Sequence, residues 1–190
     1  MIDQKNDFAK SNHTKKQRVR IITGDISTDD IIPARYKHMY TESAQLAPHL
    51  FENRFPKFVS TLQPGDIIVC NGIFGIGSSR EQAVSTLLAA GIPMVVAPAF
   101  GRIFFRNAWN LGLLAIEADI EGFREGLMVE CLINKGRFIA ETPLADFYPP
   151  SEQMLAVVRA GGRLNYILNQ LSEKQSSENP SSKEKEQRII

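Results

Sequence analysis

Residues 66–118 alternate between apolar runs and segments with helical spacing, and this alternation constrains the fold more than any other feature of the chain. Three apolar runs predict buried strands, at residues 66–72, 93–100 and 113–118. Residues 80–91 and 102–112, which separate the runs, carry apolar side chains at helical spacing, and each ends at a glycine. Strand, helix, strand, helix, strand predicts parallel pairing with right-handed crossovers.

The flanking residues add further elements. They predict a strand at 18–23, a polar loop at 25–36, short helical pieces at 41–59, a hairpin at 129–141 and a helix at 151–162. The hairpin would add antiparallel strands to the parallel set. We therefore expect an α/β fold with a mixed, partly parallel sheet.

The two ends of the chain differ from its middle. Residues 1–17 read as a flexible leader, and residues 172–190 are rich in Ser, Glu and Lys and predict a disordered tail. The expected folded domain is then 18–171. The first 20 residues lack the apolar segment of a signal peptide, which favours a cytoplasmic protein.

Composition excludes several classes of function. The net charge is +1, which gives no reason to expect a nucleic-acid partner or a membrane surface. No apolar run reaches the roughly 18–20 residues of a membrane span. Cys70 and Cys131 each lie in an apolar run and are expected to be buried free thiols. They are too few for a four-iron cluster, which needs about three or four protein thiolates.

The loop at residues 72–81 (GIFGIGSSRE) has two interpretations. Ser78-x-x-Glu81 fits a helix capping box, which is a purely structural role. The glycines and Arg80 instead suggest an anion site, because a helix N-terminus and a guanidinium both favour a carboxylate or phosphate. The patterns of a P-loop, a dinucleotide fingerprint and a nucleophile elbow are absent, so a serine hydrolase is disfavoured.

Four segments in order resemble the small, swivelling domain of the aconitase superfamily, a β/β/α domain. They are residues 28–36 (TDDIIPARY), 63–68 (QPGDII), 74–83 (FGIGSSREQA) and 100–108 (FGRIFFRNA). The resemblance covers about residues 18–168. A separate chain of this size is similar to the small subunits of the superfamily's two-chain dehydratases.

The resemblance implies a division of labour between two chains. No cofactor is expected on this chain; a large subunit would hold a [4Fe-4S] cluster that binds the substrate's hydroxyl and one carboxylate. Ser78 matches the family's catalytic base, which takes the C–H proton. Ser79 and Arg80 would hold substrate oxygens, and Asp29 matches an active-site acidic position. An alkoxide at Ser78 would need strong stabilisation, which the helix N-terminus, Arg80 and the charge of the nearby cluster could supply.

The substrate implied is a hydroxy-dicarboxylate or hydroxy-tricarboxylate. The first candidate reaction is the isomerisation of 3-isopropylmalate and 2-isopropylmalate in leucine biosynthesis. Lys37 and His38 follow Tyr36 where family members choose their substrate, so they would either meet a distal carboxylate, which favours a homocitrate-like acid, or face solvent. A homoaconitase-type or alkyl-malate dehydratase subunit and a non-catalytic anion-binding module are the alternatives.

Overall fold

The chain forms two β-sheets with helices packed on them in a computed structural model that describes residues 16–178. Its strands are β1 (Gln17–Ile22), β2 (Ile26–Ser27), β3 (Ile67–Cys70), β4 (Ile73–Ile76), β5 (Met94–Ala97), β6 (Ala99–Phe100), β7 (Leu114–Glu117), β8 (Met128–Leu132), β9 (Arg137–Ile139) and β10 (Pro143–Asp146). Its α-helices are α1 (Thr28–Ile31), α2 (Ser43–Leu46), α3 (Glu81–Ala89), α4 (Arg102–Leu111), α5 (Glu152–Arg159) and α6 (Arg163–Glu178).

The larger sheet has seven strands in the order β10-β9-β8-β1-β3-β5-β7. Strands β1, β3, β5 and β7 pair in parallel, whereas β1–β8, β8–β9 and β9–β10 are antiparallel. The mixed α/β fold, the parallel pairing and the hairpin at 129–141 are therefore confirmed. Every side chain of β3 and β5 is buried, as a strand covered on both faces requires.

A second sheet consists of three short parallel strands in the order β2-β4-β6. After a break of one to three residues, β1, β3 and β5 of the large sheet continue into β2, β4 and β6. The expectation of a polar loop at 25–36 is wrong, because this segment contains β2 and α1. Ile26 pairs with Phe74, and Ile31 and Ile32 are buried in the core.

Two apolar clusters lie on opposite sides of the large sheet. One includes Phe51, Phe74 and Leu87 and packs against α3 and the segment 31–62. The other includes Trp109 and Phe138 and packs against the antiparallel strands and α5. The two cysteines lie in different clusters as buried free thiols, as expected.

Helix α6 differs from the expected disordered tail. It continues to Glu178, so residues 172–178 are helical. Glu, Lys and Gln in this stretch are good helix formers, and the Ser-rich composition concealed that preference. Residues 1–15 and 179–190 lie outside the described residues, so the expected leader and the rest of the tail stay predictions.

Asp66 fixes the start of β3 against β1. Arg18 donates to it from Nε (2.9 Å) and Nη2 (2.7 Å), and Arg20 lies 3.4 Å away. The Asp66 and Arg20 side chains are only 3% and 8% exposed. Burial opposes ionisation, but the hydrogen bonds from Arg18, the Gln63 amide and Arg20 outweigh it and hold the pKa of Asp66 below its ordinary value.

We expect Asp66→Asn to lower the free energy of unfolding by about 2 kcal/mol, because it removes the buried carboxylate that accepts from Arg18, while Arg20 keeps its contacts with Glu125 and Thr61. The ionised carboxylate contributes its full stabilisation above the ordinary Asp pKa of about 4 and loses it as pH falls through the lower folded pKa. Urea unfolding from pH 2 to 7 should therefore show a shallower acid decline in the variant.

The control is Asp146→Asn, which removes a carboxylate that pairs with Arg137 at the surface. It should leave the free energy of unfolding almost unchanged. Equal effects of the two substitutions would contradict the role assigned to Asp66.

Candidate active site

The C-terminal ends of β2, β4 and β6 meet at one edge of the small sheet, because the three strands are parallel neighbours. Strand β2 runs directly into α1, and β6 reaches α4 through Gly101. Between β4 and α3 lie residues 77–80. The backbone N–H groups at the starts of α3 and α4 thus lie at this edge, without a side-chain cap on either helix.

Ser78 and Ser79 are exposed on the loop before α3. Of the two interpretations of this loop, the capping box at Ser78 and Glu81 is wrong. The N-cap of α3 is Arg80, in extended backbone (φ −76°, ψ 106°), and no side chain caps the helix. The Ser78 hydroxyl instead lies 3.3 Å from the Thr28 hydroxyl, at the start of α1. The predicted catalytic hydroxyl is therefore not used by the helix.

Two glycines shape this loop in different ways. Gly75 has a φ of +78°, and a Cβ there would overlap the Phe104 ring, so the absence of a side chain lets Phe104 pack against this backbone. Gly77 has a φ of +96°, and the nearest atom to where its Cβ would lie is Thr28 Oγ1, at 3.6 Å. The left-handed backbone at Gly77 places Ser78 beside α1.

Arg80 and Asp29 form an ion pair at the same edge. Nη1 of Arg80 donates to Asp29 Oδ1 at 2.5 Å and to the Ile32 carbonyl at 3.3 Å. The Arg80 side chain is 16% exposed, and that of Asp29 is 55% exposed. Nε and Nη2 of Arg80 have no hydrogen-bond partner among residues 16–178, which leaves a fork that matches a carboxylate.

Ser27 and Asp30 form a capping box that the sequence interpretation missed. The Ser27 hydroxyl accepts from the Asp30 amide (3.1 Å), and Asp30 Oδ2 accepts from the Ser27 amide (2.7 Å). Arg54 lies 3.7 Å from the Asp30 carboxylate and also donates to the carbonyls of Thr23 and Asp25. The sequence indicates this capping box by Ser-x-x-Asp at 27–30, which is a variant of the Ser-x-x-Glu pattern at 78–81.

Glu52 anchors the segment that follows α1. It accepts hydrogen bonds from Tyr36 (2.8 Å) and Arg35 (2.9 Å) and lies 2.8 Å from His49 Nδ1. The hydrogen bonds from Tyr36 and His49 lower the pKa of Glu52 below its ordinary range. The Tyr36 and His49 rings stack at 3.8 Å. The backbone of Ala34–His38 is a 3-10 helix, but the side chains of Lys37 and His38 lie outside the described part, so their predicted roles stay predictions.

Residues 3–121 match the family model of the aconitase C-terminal domain. The chain belongs to the aconitase C-terminal domain family. This confirms the resemblance found in the sequence.

Relatives and a solved structure of this family agree over most of the chain. The chain is 40% identical over 145 residues to 3-isopropylmalate dehydratase small subunit 2 of Archaeoglobus fulgidus, covering 75% of this chain and 88% of that one. It is 41% identical over 155 residues to the 3-isopropylmalate dehydratase small subunit of Heliobacterium modesticaldum, covering 78% and 92%. The crystal structure of 3-isopropylmalate dehydratase (LeuD) from Methanocaldococcus jannaschii is similar with a TM-score of 0.78 and 33% identity, covering 85% and 98%.

Within residues 16–178 no group of three or more His, Cys, Asp or Glu could hold a metal ion, and no helix is long and apolar enough to span a bilayer. Burial raises the pKa of the Cys131 thiol to about 12 and raises that of Cys70 as well. The described residues therefore do not fit an iron–sulfur cluster.

We expect Ser27→Ala to lower the free energy of unfolding by about 1 kcal/mol, because it removes the hydroxyl that caps α1. Ser78→Ala is the matched control and should have almost no effect, since Ser78 caps no helix. Urea unfolding of the three proteins measures the difference. A larger loss of unfolding free energy for Ser78→Ala than for Ser27→Ala would support the capping interpretation of Ser78.

Proposed function

We propose that this chain acts as the small subunit of a 3-isopropylmalate dehydratase, a hydro-lyase that interconverts 3-isopropylmalate and 2-isopropylmalate in leucine biosynthesis. The observation that carries the proposal is the placement of Ser78. Its hydroxyl caps no helix and lies beside Thr28 at the edge where α1, α3 and α4 begin. The relatives at about 40% identity, all named small subunits of this enzyme, support the choice of reaction.

Ser78 is the proposed base, which takes a proton from the substrate carbon and returns it when water adds back. An ordinary serine hydroxyl is far too weak an acid for this task. The uncapped N–H groups of α3 and the guanidinium of Arg80 provide positive potential at the site and favour the alkoxide. Ser79 is proposed to hold a substrate oxygen from the same loop.

Arg80 is the proposed partner of a substrate carboxylate. Asp29 accepts from Nη1 and so fixes the guanidinium. Nε and Nη2 are then proposed to donate to the two oxygens of a substrate carboxylate. The half-exposed Asp29 carboxylate is proposed to contact the substrate as well, as its match to the family's acidic position implies.

A large subunit with a [4Fe-4S] cluster is the proposed partner, in a heterodimer or heterotetramer. Ser78 and Ser79 are exposed on this chain, so water reaches the site freely until a second surface covers it. The described residues offer no cluster site of their own, and the names of the relatives refer to a small subunit. The cytoplasmic location expected from the sequence stays a prediction.

The first experiment is an assay of this chain with its large-subunit partner prepared anaerobically. The substrates are 3-isopropylmalate, homocitrate and smaller alkyl-malates, and the alkene product is followed by absorbance. We expect turnover of 3-isopropylmalate. Turnover of homocitrate instead would support the homoaconitase-type alternative and a role for Lys37 or His38. A stable complex that turns over none of them would leave an anion-binding module.

We expect Ser78→Ala to lower kcat by roughly 10²- to 10⁴-fold, because the proton loses its acceptor. The complex should still form, since Ser78 is exposed and supports no helix. Ser60→Ala removes another exposed serine, far along the chain from the site, and should retain full activity. A Ser78→Ala enzyme with normal kcat would overturn the proposed base.

We expect Arg80→Lys to raise KM by about 10-fold or more, because lysine cannot reproduce the bidentate fork. The loss should appear mainly in KM, measured by saturation kinetics. Arg106→Lys, on the exposed side of α4, is the matched control and should change neither constant. Unchanged saturation kinetics for Arg80→Lys would reject its role in binding.

A further inference from the structure

Thr28 is the side chain that the structure places against the hydroxyl of Ser78. The two oxygen atoms lie 3.3 Å apart, within hydrogen-bond distance. Ser78 is exposed on a loop that follows Gly77, so its own backbone holds the hydroxyl only loosely. Thr28, by contrast, is 1% exposed. The fixed partner in this contact is therefore Thr28.

Thr28 is held from several directions. It is the first residue of α1 and directly follows Ser27, whose capping box with Asp30 fixes the turn. Ser27 is also the last residue of β2, where it pairs with Ile76, two residues before Ser78. A threonine in a helix is divided mainly between two χ1 rotamers, and Thr28 is buried. The Thr28 hydroxyl thus has few positions other than the one beside Ser78.

We propose that Thr28 is a positioning residue for the reaction: it orients the Ser78 hydroxyl and donates a hydrogen bond to that oxygen when it is negatively charged. The inference rests on the proposed role of Ser78 as the base. When the C–H bond breaks, the proton moves from the substrate carbon to Ser78 Oγ, and it returns to carbon by the same path. Thr28 keeps its own proton throughout.

A purely structural role for the Thr28 hydroxyl makes a different prediction. Such a hydroxyl would only need to satisfy its own hydrogen-bonding capacity, and its loss would affect stability and not kcat. Thr86 provides the comparison within this chain. It is fully buried in α3, and its hydroxyl has no hydrogen-bond partner among residues 16–178.

The test compares Thr28→Val, Thr28→Ser and Thr86→Val in the complex with the large subunit, with 3-isopropylmalate as substrate. Thr28→Val keeps the shape and removes the hydroxyl, whereas Thr28→Ser keeps the hydroxyl. We expect Thr28→Val to lower kcat roughly 10- to 100-fold, the effect of losing a hydrogen bond to a charged group. KM should stay within about twofold, since Thr28 is buried and contacts Ser78, not the substrate.

The pH profile of kcat separates positioning from folding. Without the donor the Ser78 alkoxide is harder to form, so the rise of kcat with pH should move to higher pH in Thr28→Val. Thr28→Ser should restore most of kcat and the normal profile, and Thr86→Val should behave as the unaltered chain. Thermal unfolding of each complex checks that all variants are folded.

Two results would overturn the inference. In the first, Thr28→Val keeps the kcat and pH profile of the unaltered chain while Ser78→Ala loses activity; this rejects Thr28 and leaves the proposed function intact. In the second, the complex with Thr28→Ser is folded but its kcat stays as low as that of Thr28→Val. The loss of kcat would then come from packing and not from the hydroxyl. Normal activity of Ser78→Ala would be different, since it would reject the base itself and with it the proposed function.

Discussion

Strand β4 pairs with a neighbour on each side, and the geometry of the candidate site follows from its register. Phe74 lies opposite Ile26 of β2 and Phe100 of β6. The pairing then shifts by one residue past Gly75, so that Ser27 lies opposite Ile76, and the chain beyond Ser27 enters α1 beside the loop that carries Ser78. Because side chains alternate along a strand, a shift by one residue would turn Phe74 out of the core. Core packing at Phe74 and the irregular pairing that follows it thus place the start of α1 beside the Ser78 loop.

Two aspartates hold arginines in place at this edge before any ligand binds. Asp29 accepts from one nitrogen of Arg80, whose other N–H groups still provide positive potential, and Arg54 lies near the Asp30 carboxylate that caps α1. A carboxylate ligand would therefore meet the remaining Arg80 N–H groups and two helix N-termini, in a site that is still open to water. Such contacts are weak while solvent screens them and strengthen when a second surface excludes water. This is the physical reason that a site of this kind depends on a partner subunit.

Sequence reasoning succeeded where local pattern and tertiary packing agree. Strands β3 and β5 are apolar at every position because both of their faces are buried, and α4 ends at Gly112, whose φ is +89°. It failed for β2 and α1, because a strand of two residues has no periodicity and exists only through pairing with β4. It also missed α6 as a whole, whose apolar residues Leu164, Ile167, Leu168 and Leu171 have helical spacing but remain exposed. The site loop was recognised by its residues, whereas Thr28 became a candidate only through its distance to Ser78.

The Ser-x-x-acid sequences at 27–30 and 78–81 show how folding separates stability from function. Both fit the same local pattern, yet only Ser27 caps a helix, while α3 begins at Arg80 with no side-chain cap. Capping by Ser78 would stabilise α3 by about 1 kcal/mol, and the structure lacks this stabilisation. Natural sequences break local rules of this kind mostly at functional sites. A cap would direct the hydroxyl back to the helix backbone. Without that cap, the Ser78 hydroxyl faces the buried Thr28 hydroxyl and an open surface, an arrangement that suits the proton acceptor proposed for it.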